Sequence, residues 1–197
     1  MREKDENRRQ HILDATAQLI NGEGLGGITM TKVAKRAGIS QSNIYIYFEN
    51  KDDLVKQTFL GCKQRMSDYL FAHFTPQATA LADLALFARA LYQFAVENPT
   101  DADLIQQFIA SPVLMTLDLT REEATMRFDD IAAALQTGIT NGEIRPLDPN
   151  VLLVMGTSTL LNYERMVRFH QVDPVTTPLS GVIDMILAGC APTPKRA

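Results

Sequence analysis

The sequence has few cysteines and no long apolar runs, and each shortage excludes a class of protein. Cys62 and Cys190 are the only cysteines among 197 residues, which is too few for a disulfide framework. No apolar run reaches the ~18 residues that a membrane-spanning helix needs. The charged start MREKDENRRQ has no apolar segment of the kind found in a signal peptide. We therefore expect a cytoplasmic protein that does not bind a membrane.

Patterns of catalytic and metal-binding residues are also missing. His11, His73 and His170 lie far apart, and no cysteine or histidine pair has the spacing of metal ligands. The sequence contains no Gly-rich phosphate loop, no nucleophile elbow and no paired catalytic carboxylates. We therefore expect a protein that is not an enzyme and that uses neither a metal nor a cofactor. The alternatives are an all-helical enzyme, which a turnover screen would detect, and a helical adaptor that binds another protein.

Apolar residues with helical spacing are plentiful, whereas strand-like alternation is scarce. Hydrophobic residues make up 46% of the chain and charged residues 21%, which is sufficient for a packed core. The periodicity and the Gly, Pro and Asn breaks predict an all-α protein. The predicted helices cover residues 7–21, 30–37, 41–47, 51–73, 80–97, 101–110, 121–140, 149–171 and 178–188.

Two short helices joined by a glycine turn lie near the N-terminus. Thr29 is a suitable N-cap for a helix from Met30 to Ala37, and Gly38 ends that helix. Ser40 then caps a second helix, predicted from Gln41 to Tyr47. A short helix, a glycine turn and a helix that opens with small polar residues predict a helix–turn–helix, whose second helix enters the major groove of DNA.

The second helix divides into side chains that pack and side chains that face DNA. Ile44 and Phe48 are four residues apart and, with Ile39, are expected to face inward. The candidates for reading base edges with amide or hydroxyl groups are Gln41, Ser42 and Asn43. The candidates for binding phosphates are Tyr45, Tyr47 and Lys51. Between residues 31 and 51 the chain has four basic residues and one acidic residue, a local excess of positive charge that suits DNA.

The segment ITMTKVAKRAGISQSNIYIYFENKDDLV, Ile28 to Val55, resembles the DNA-binding signature of the TetR family of transcriptional regulators. The shared pattern is a Thr N-cap, a Val-Ala pair, the run Ala-Gly-Ile-Ser and the run Ile-Tyr-Ile-Tyr-Phe-Glu-Asn-Lys. The resemblance implies that the following residues occupy positions that approach DNA: Thr29, Met30, Thr31, Gln41, Ser42, Asn43, Tyr45, Tyr47 and Lys51. It also implies a small three-helix DNA-binding domain, residues 1–50, before a larger helical domain, residues 51–190, and a tail, residues 191–197.

The resemblance further implies that the larger domain dimerises and binds a small-molecule effector. Apolar helices near the C-terminus, Leu152–Met155 and Val182–Leu187, with the small residue Gly156, are expected to build the homodimer interface. The candidates for the effector pocket are Phe87, Leu91, Phe108, Met115, Arg127, Phe128, Met155 and Tyr163. The expected function is that of a repressor that binds palindromic operator DNA and is released by an unknown effector.

Overall fold

A computed structural model describes residues 2–75, 77–120, 123 and 128–192, with the backbone alone for residues 2–4 and 128–130. Regular secondary structure in these residues is helical, as the sequence predicts, and includes one 3-10 turn, Leu25–Gly27. The α-helices of this part of the chain are α1 (Arg2–Glu23), α2 (Met30–Ala37), α3 (Gln41–Ile44), α4 (Lys51–Ala72), α5 (Ala80–Glu97), α6 (Pro99–Ile109), α7 (Val113–Thr116), α8 (Phe128–Thr140), α9 (Pro149–Arg168) and α10 (Leu179–Cys190).

The predicted caps set the start of several helices. The Thr29 hydroxyl accepts a hydrogen bond from the backbone N–H of Lys32 at 3.3 Å, at the start of α2. Gly38 ends α2 with a positive φ of 66°, a conformation that glycine adopts without steric cost. The Ser40 hydroxyl accepts from the N–H of Asn43 at 3.3 Å, at the start of α3. These helix starts follow from side chains within three residues of each end.

Some helix bounds differ from the prediction. Helix α3 ends at Ile44 rather than at Tyr47, and the chain continues as a turn in which the Tyr47 N–H donates to the Ile44 carbonyl at 2.9 Å. The run of β-branched and aromatic residues after Ile44 has low helix propensity, which explains the early end. Helix α1 begins at Arg2, before the predicted residue 7, because its first turns contain good helix formers. Of the helix predicted for 121–140, residues 121–122 and 124–127 lie outside the described residues.

The described residues form two compact units. Unit 1 lies within Met1–Arg65 and Thr100–Ala124, and unit 2 lies within Met66–Pro99 and Thr125–Ala197. The largest fully buried side chains of unit 1 are Ile12, Ile20, Ile28, Ile44, Phe48, Leu54, Leu104 and Phe108. Those of unit 2 are Leu70, Leu91, Phe94 and Ile144. The division into a DNA-binding domain (residues 1–50), an effector-binding and dimerisation domain (51–190) and a tail (191–197) is a division by function, and it stays a prediction.

In unit 2, α5 contacts α8, α9 and α10. Its buried residues include Phe87, Leu91 and Phe94. None of the described helices combines the length and hydropathy that a membrane span requires.

Candidate nucleic-acid interface

Helix α3 and the turn that follows it present a polar surface on unit 1. Gln41 and Ser42 are exposed and Asn43 is half-buried. Tyr45 is 50% exposed, and Tyr47 and Lys51 are half-buried. We call these six residues, with Thr31, the α3 surface.

The α3 surface is held by apolar side chains beneath it. Ile44 is 0% and Phe48 1% exposed, as the spacing of these residues predicts, whereas Ile39 is half-buried. A buried aromatic and a buried β-branched side chain have few alternative positions in a packed core. Their burial therefore fixes which way the polar side chains of α3 point.

Side-chain hydrogen bonds connect α2 with α3. The Thr31 hydroxyl donates to the Gln41 carbonyl oxygen at 3.0 Å. This bond occupies one acceptor site of the Gln41 amide oxygen, and the amide NH₂ group stays able to donate to a base edge. The hydroxyls of Ser40 and Ser42 share a hydrogen bond of 2.8 Å. Thr31 therefore orients a candidate base-reading side chain.

Two predicted contact residues have structural roles in unit 1. The Thr29 side chain is the N-cap of α2. Met30 is 7% exposed and belongs to the buried core. Thr29 itself is exposed, whereas Met30 offers little surface to DNA.

Two basic side chains of α2 have partners in unit 1, and one of these partners is a carboxylate that offsets the local positive charge. The Lys32 ammonium pairs with the Glu23 carboxylate at 2.6 Å, and Arg36 donates from Nε to the Gln18 side chain at 3.1 Å. Glu23 lies outside the segment that the sequence reasoning counted. The charge available to DNA is therefore smaller than the count for residues 31–51 indicates.

An acidic residue far away in the sequence also reaches the α3 surface. The Tyr47 hydroxyl donates to Asp5 Oδ1 at 3.1 Å across 42 positions. The sequence reasoning missed Asp5, because the first helix was predicted to begin at residue 7. No local signal pairs these two residues, since the packing of α1 in unit 1 brings them together.

Two small apolar cavities lie among the described residues of unit 2. The first has a volume of about 70 Å³ and is lined by Phe71, Phe74, Ala80, Asp83, Leu84, Phe87, Ile131, Ala134 and Leu135. The second, about 30 Å³, is lined by Leu84, Phe87, Ala88, Leu91, Leu152, Leu153, Gly156, Thr157, Leu160, Ile186 and Cys190. Leu84 and Phe87 line both. Each cavity is far below the roughly 300–1,000 Å³ of a typical ligand pocket.

The described pocket candidates are distributed over both units. Phe87 and Leu91 line these cavities, but Phe108 is fully buried in unit 1, where its ring centroid lies 4.7 Å from that of Phe59. Met115 is 88% exposed, on α7 of unit 1. Arg127 lies outside the described residues, as does the side chain of Phe128.

The remaining two pocket candidates belong to α9. Met155 is 65% exposed on its outer side. Tyr163 is buried, and its hydroxyl donates to the Thr177 carbonyl at 2.6 Å. Its ring centroid lies 5.7 Å from that of Tyr92. Burial raises the pKa of the Tyr92 hydroxyl, and the neighbouring Tyr163 and Glu164 add to this effect.

The helices predicted to dimerise present exposed apolar side chains. On α9 these are Val151, Val154 and Met155, and on α10 the largest is Met185, each at least half exposed. Ile183, by contrast, is 1% exposed and belongs to the core. We call the exposed set of four residues the α9–α10 face. α9 and α10 contact each other, and exposed apolar side chains on neighbouring helices are typical of an interaction surface.

The two capped helices, the glycine turn and the α3 surface define a helix–turn–helix DNA-binding protein. Residues 12–58 match the family model described as bacterial regulatory proteins, tetR family. This match and the relatives along the chain support a regulator of the TetR family.

Relatives along most of the chain agree with this assignment. An uncharacterized HTH-type transcriptional regulator of Haemophilus influenzae is 25% identical over 93% of this chain and 96% of its own. A crystal structure of a TetR family transcription regulator from Marinobacter aquaeolei has a TM-score of 0.83 at 21% identity, covering 98% of this chain and 100% of that one. The Bacillus subtilis regulator FadR, solved in complex with stearoyl-CoA, has a TM-score of 0.66 at 23% identity, covering 91% and 98%.

Proposed function

We propose that the protein is a homodimeric repressor that binds a palindromic operator through the α3 surface and leaves it when a small molecule binds unit 2. The observation that carries the proposal is the α3 surface itself, a polar face fixed by the buried Ile44 and Phe48. Because the target is chromosomal DNA, the proposal places the protein in the cytoplasm. It assigns no catalytic step, in keeping with relatives that are named as transcriptional regulators.

The α3 surface supports two kinds of contact with DNA. Gln41, Ser42 and Asn43 follow the Ser40 cap, at the helix end that reaches base edges in the major groove. Tyr45, Tyr47 and Lys51 lie beyond the end of α3 and offer hydroxyl and ammonium donors to phosphates. We assign the first three to base reading and the last three to phosphate binding.

Salt dependence tests this assignment. Lys51→Ala should weaken binding to all duplex sequences and reduce the slope of log K against log salt by about 1, because one phosphate contact is lost. Gln41→Ala should leave that slope unchanged and relax the preference at one base pair per half-site, at a cost of about 1–3 kcal/mol. Binding to operators selected from random DNA, measured over a salt series, distinguishes the two. Identical slopes and base preferences for both variants would contradict the assignment.

The proposed dimer rests on the α9–α10 face. A carboxylate placed in an apolar interface loses its hydration without gaining a partner, so Met155→Glu and Met185→Glu should shift the protein towards monomer. Met115→Glu is the matched control, since Met115 is also exposed but lies on unit 1. Light scattering gives the mass of each variant. A wild-type protein that is a monomer at high concentration, or equal effects of all three substitutions, would refute this interface.

Loss of the dimer should also weaken operator binding. A two-fold symmetric protein reads two half-sites that are separated by about one or more turns of DNA, so each monomer alone keeps contact with one half-site. Met155→Glu should therefore lower operator affinity without changing the base preferred within a half-site. The same binding assay on one half-site and on the full palindrome separates these effects.

The proposed effector is a small, largely apolar molecule. These two cavities of unit 2 have Leu84 and Phe87 as common lining residues, so the two spaces are neighbours. The neighbour FadR was solved with stearoyl-CoA, a ligand with a long apolar chain, which supports an apolar effector here. By contrast, the present volumes are too small for such a ligand without opening.

The effector proposal is tested by screening metabolites for two linked signals. A true effector should raise the melting temperature, since it binds the native state, and should also lower operator affinity. Leu84→Trp should abolish both signals by filling the shared wall of the cavities. Leu86→Trp, on the same helix but not among the residues that line them, should preserve both. Thermal shifts without any change in DNA affinity would contradict the regulatory part of the proposal.

A further inference from the structure

Asp5 places a negative charge on the surface that is proposed to bind DNA, which is itself strongly negative. It is exposed in the first turns of α1, and its Oδ1 accepts the hydrogen bond from the Tyr47 hydroxyl at 3.1 Å. Tyr47 is one of the residues assigned to phosphate binding. The same hydroxyl therefore has a carboxylate partner in the protein without DNA.

A tyrosine hydroxyl carries a single proton, so Tyr47 donates either to Asp5 or to a phosphate oxygen. A phosphate that reaches the hydroxyl also approaches Asp5, because the two protein atoms are only 3.1 Å apart. Two negative charges at about 4 Å repel each other even in water. DNA binding through Tyr47 thus requires a bond to break and brings like charges together.

The acidic residue next to Asp5 does not share this position. Glu6 lies one residue further along α1, is 72% exposed, and approaches the Arg9 guanidinium at 3.7 Å. Successive residues of a helix point about 100° apart. Asp5 and Glu6 carry the same charge, but among the described residues of α1 it is the Asp5 side chain that bonds to the α3 surface.

We propose that Asp5 is an autoinhibitory residue that competes with DNA phosphate for the Tyr47 hydroxyl and lowers the affinity of the protein for DNA. The proposal rests on the proposed function, in which Tyr47 faces DNA. Asp5 keeps non-specific binding weak, since a phosphate contact contributes to every DNA sequence alike. Base reading by Gln41, Ser42 and Asn43 is left untouched, so the ratio of operator to non-specific affinity is not set by Asp5.

Two substitutions separate the charge from the hydrogen bond. Asp5→Asn removes the charge but keeps an oxygen that accepts from Tyr47, and should raise affinity for a random-sequence duplex about threefold. Asp5→Ala removes both and should raise it about tenfold, more at low salt than at high salt. Glu6→Gln, the matched control with the same change in net charge, should change affinity less than twofold by the same electrostatic reasoning.

A double-mutant cycle shows whether Asp5 acts through the hydroxyl. Tyr47→Phe should have little effect in the wild type, where the Tyr47 hydroxyl already donates to Asp5. In the Asp5→Ala background it should lower affinity severalfold. Equal effects of Tyr47→Phe in both backgrounds overturn the proposal. Unchanged or weaker binding by Asp5→Ala also overturns it, as does an equal gain from Glu6→Gln.

The outcome remains distinguishable from a failure of the proposed function. If the α3 surface does not bind DNA, Lys51→Ala leaves DNA affinity and its salt slope unchanged. If the surface binds DNA but Asp5 does not compete, Lys51→Ala lowers the slope while Asp5→Ala has no effect. Far-UV circular dichroism and melting temperature of each variant show that Asp5→Ala, an exposed position near the start of α1, stays folded.

Discussion

The pair formed by Arg65 and Asp101 in unit 1 allows a stability prediction in which burial decides the outcome. Arg65 donates from Nε and Nη2 to the two carboxylate oxygens of Asp101, each at 2.7 Å. Asp101 is 8% exposed, whereas the Arg65 side chain is 42% exposed. The hydrogen bonds that the guanidinium donates to Asp101 raise the pKa of Arg65 above its usual value. When one partner is removed, water can therefore hydrate a remaining guanidinium more easily than a remaining carboxylate.

Arg65→Met leaves a buried carboxylate whose remaining side-chain donor is the Cys62 thiol at 3.2 Å. Breaking a fully buried pair costs about 3–5 kcal/mol, and because Arg65 is partly exposed we expect about 2–3 kcal/mol here. Asp101→Asn leaves a guanidinium that water can reach, so its cost should be about 1 kcal/mol. Arg65→Met should therefore lose more stability than Asp101→Asn, because the buried carboxylate that it leaves is poorly hydrated.

Urea unfolding monitored by circular dichroism measures both variants. The midpoint should fall more for Arg65→Met than for Asp101→Asn, with the m-value unchanged. Arg89→Met is the control, because Arg89 is exposed on α5 and its replacement should change stability by less than about 0.5 kcal/mol. Equal losses for the two test variants, or a larger loss for Asp101→Asn, would refute the argument from burial.

Three further predictions concern specificity, pH and packing. Thr31→Val removes the hydroxyl that donates to Gln41 and should relax base preference in operator selection, whereas Thr31→Ser should retain it. Burial raises the pKa of the Cys62 thiol above its ordinary 9.0, so the thiol ionises in the unfolded state alone as the pH passes 9.0. The free energy of unfolding should therefore fall by up to about 1.4 kcal/mol per pH unit above that value. In Cys62→Ala this decrease should be smaller. At Gly138 a new Cβ would lie 2.7 Å from the Cβ of the first residue of α5, so Gly138→Ala should lower the free energy of unfolding in urea by about 1–3 kcal/mol. Gly22→Ala is the control and should not lower it, because a Cβ at Gly22 meets nothing within 4 Å.

The helix–turn–helix could be predicted from the sequence because its signals are local. The Thr29 and Ser40 caps act on backbone groups three residues away, and the Gly38 turn needs only its own backbone freedom. The four-residue spacing of Ile44 and Phe48 indicates their burial in the same way. The predicted end of α3 at Tyr47 was wrong, because the apolar pattern continues to Phe48 whereas the helix ends at Ile44.

The effector pocket could not be assembled from sequence, since apolar residues at helical spacing look alike whether they pack a core, line a cavity or face outward. Phe87 lines both cavities, Phe108 packs inside unit 1, and Met155 lies at the surface. The difference depends on which helices cover each side chain. That is a property of the packed units rather than of hydrophobicity.

The sequence by itself determined that the chain is helical, where the DNA-binding helices begin, and which residue types line α3. Only the tertiary structure decided that Asp5 holds the Tyr47 hydroxyl, that Asp101 holds Arg65, and that Met30 is buried. Caps and periodicity act over three or four residues, so they can be read along the chain. Contacts across 36 or 42 positions exist only because packed helices bring distant side chains within hydrogen-bonding distance, and no local pattern encodes which pairs will meet.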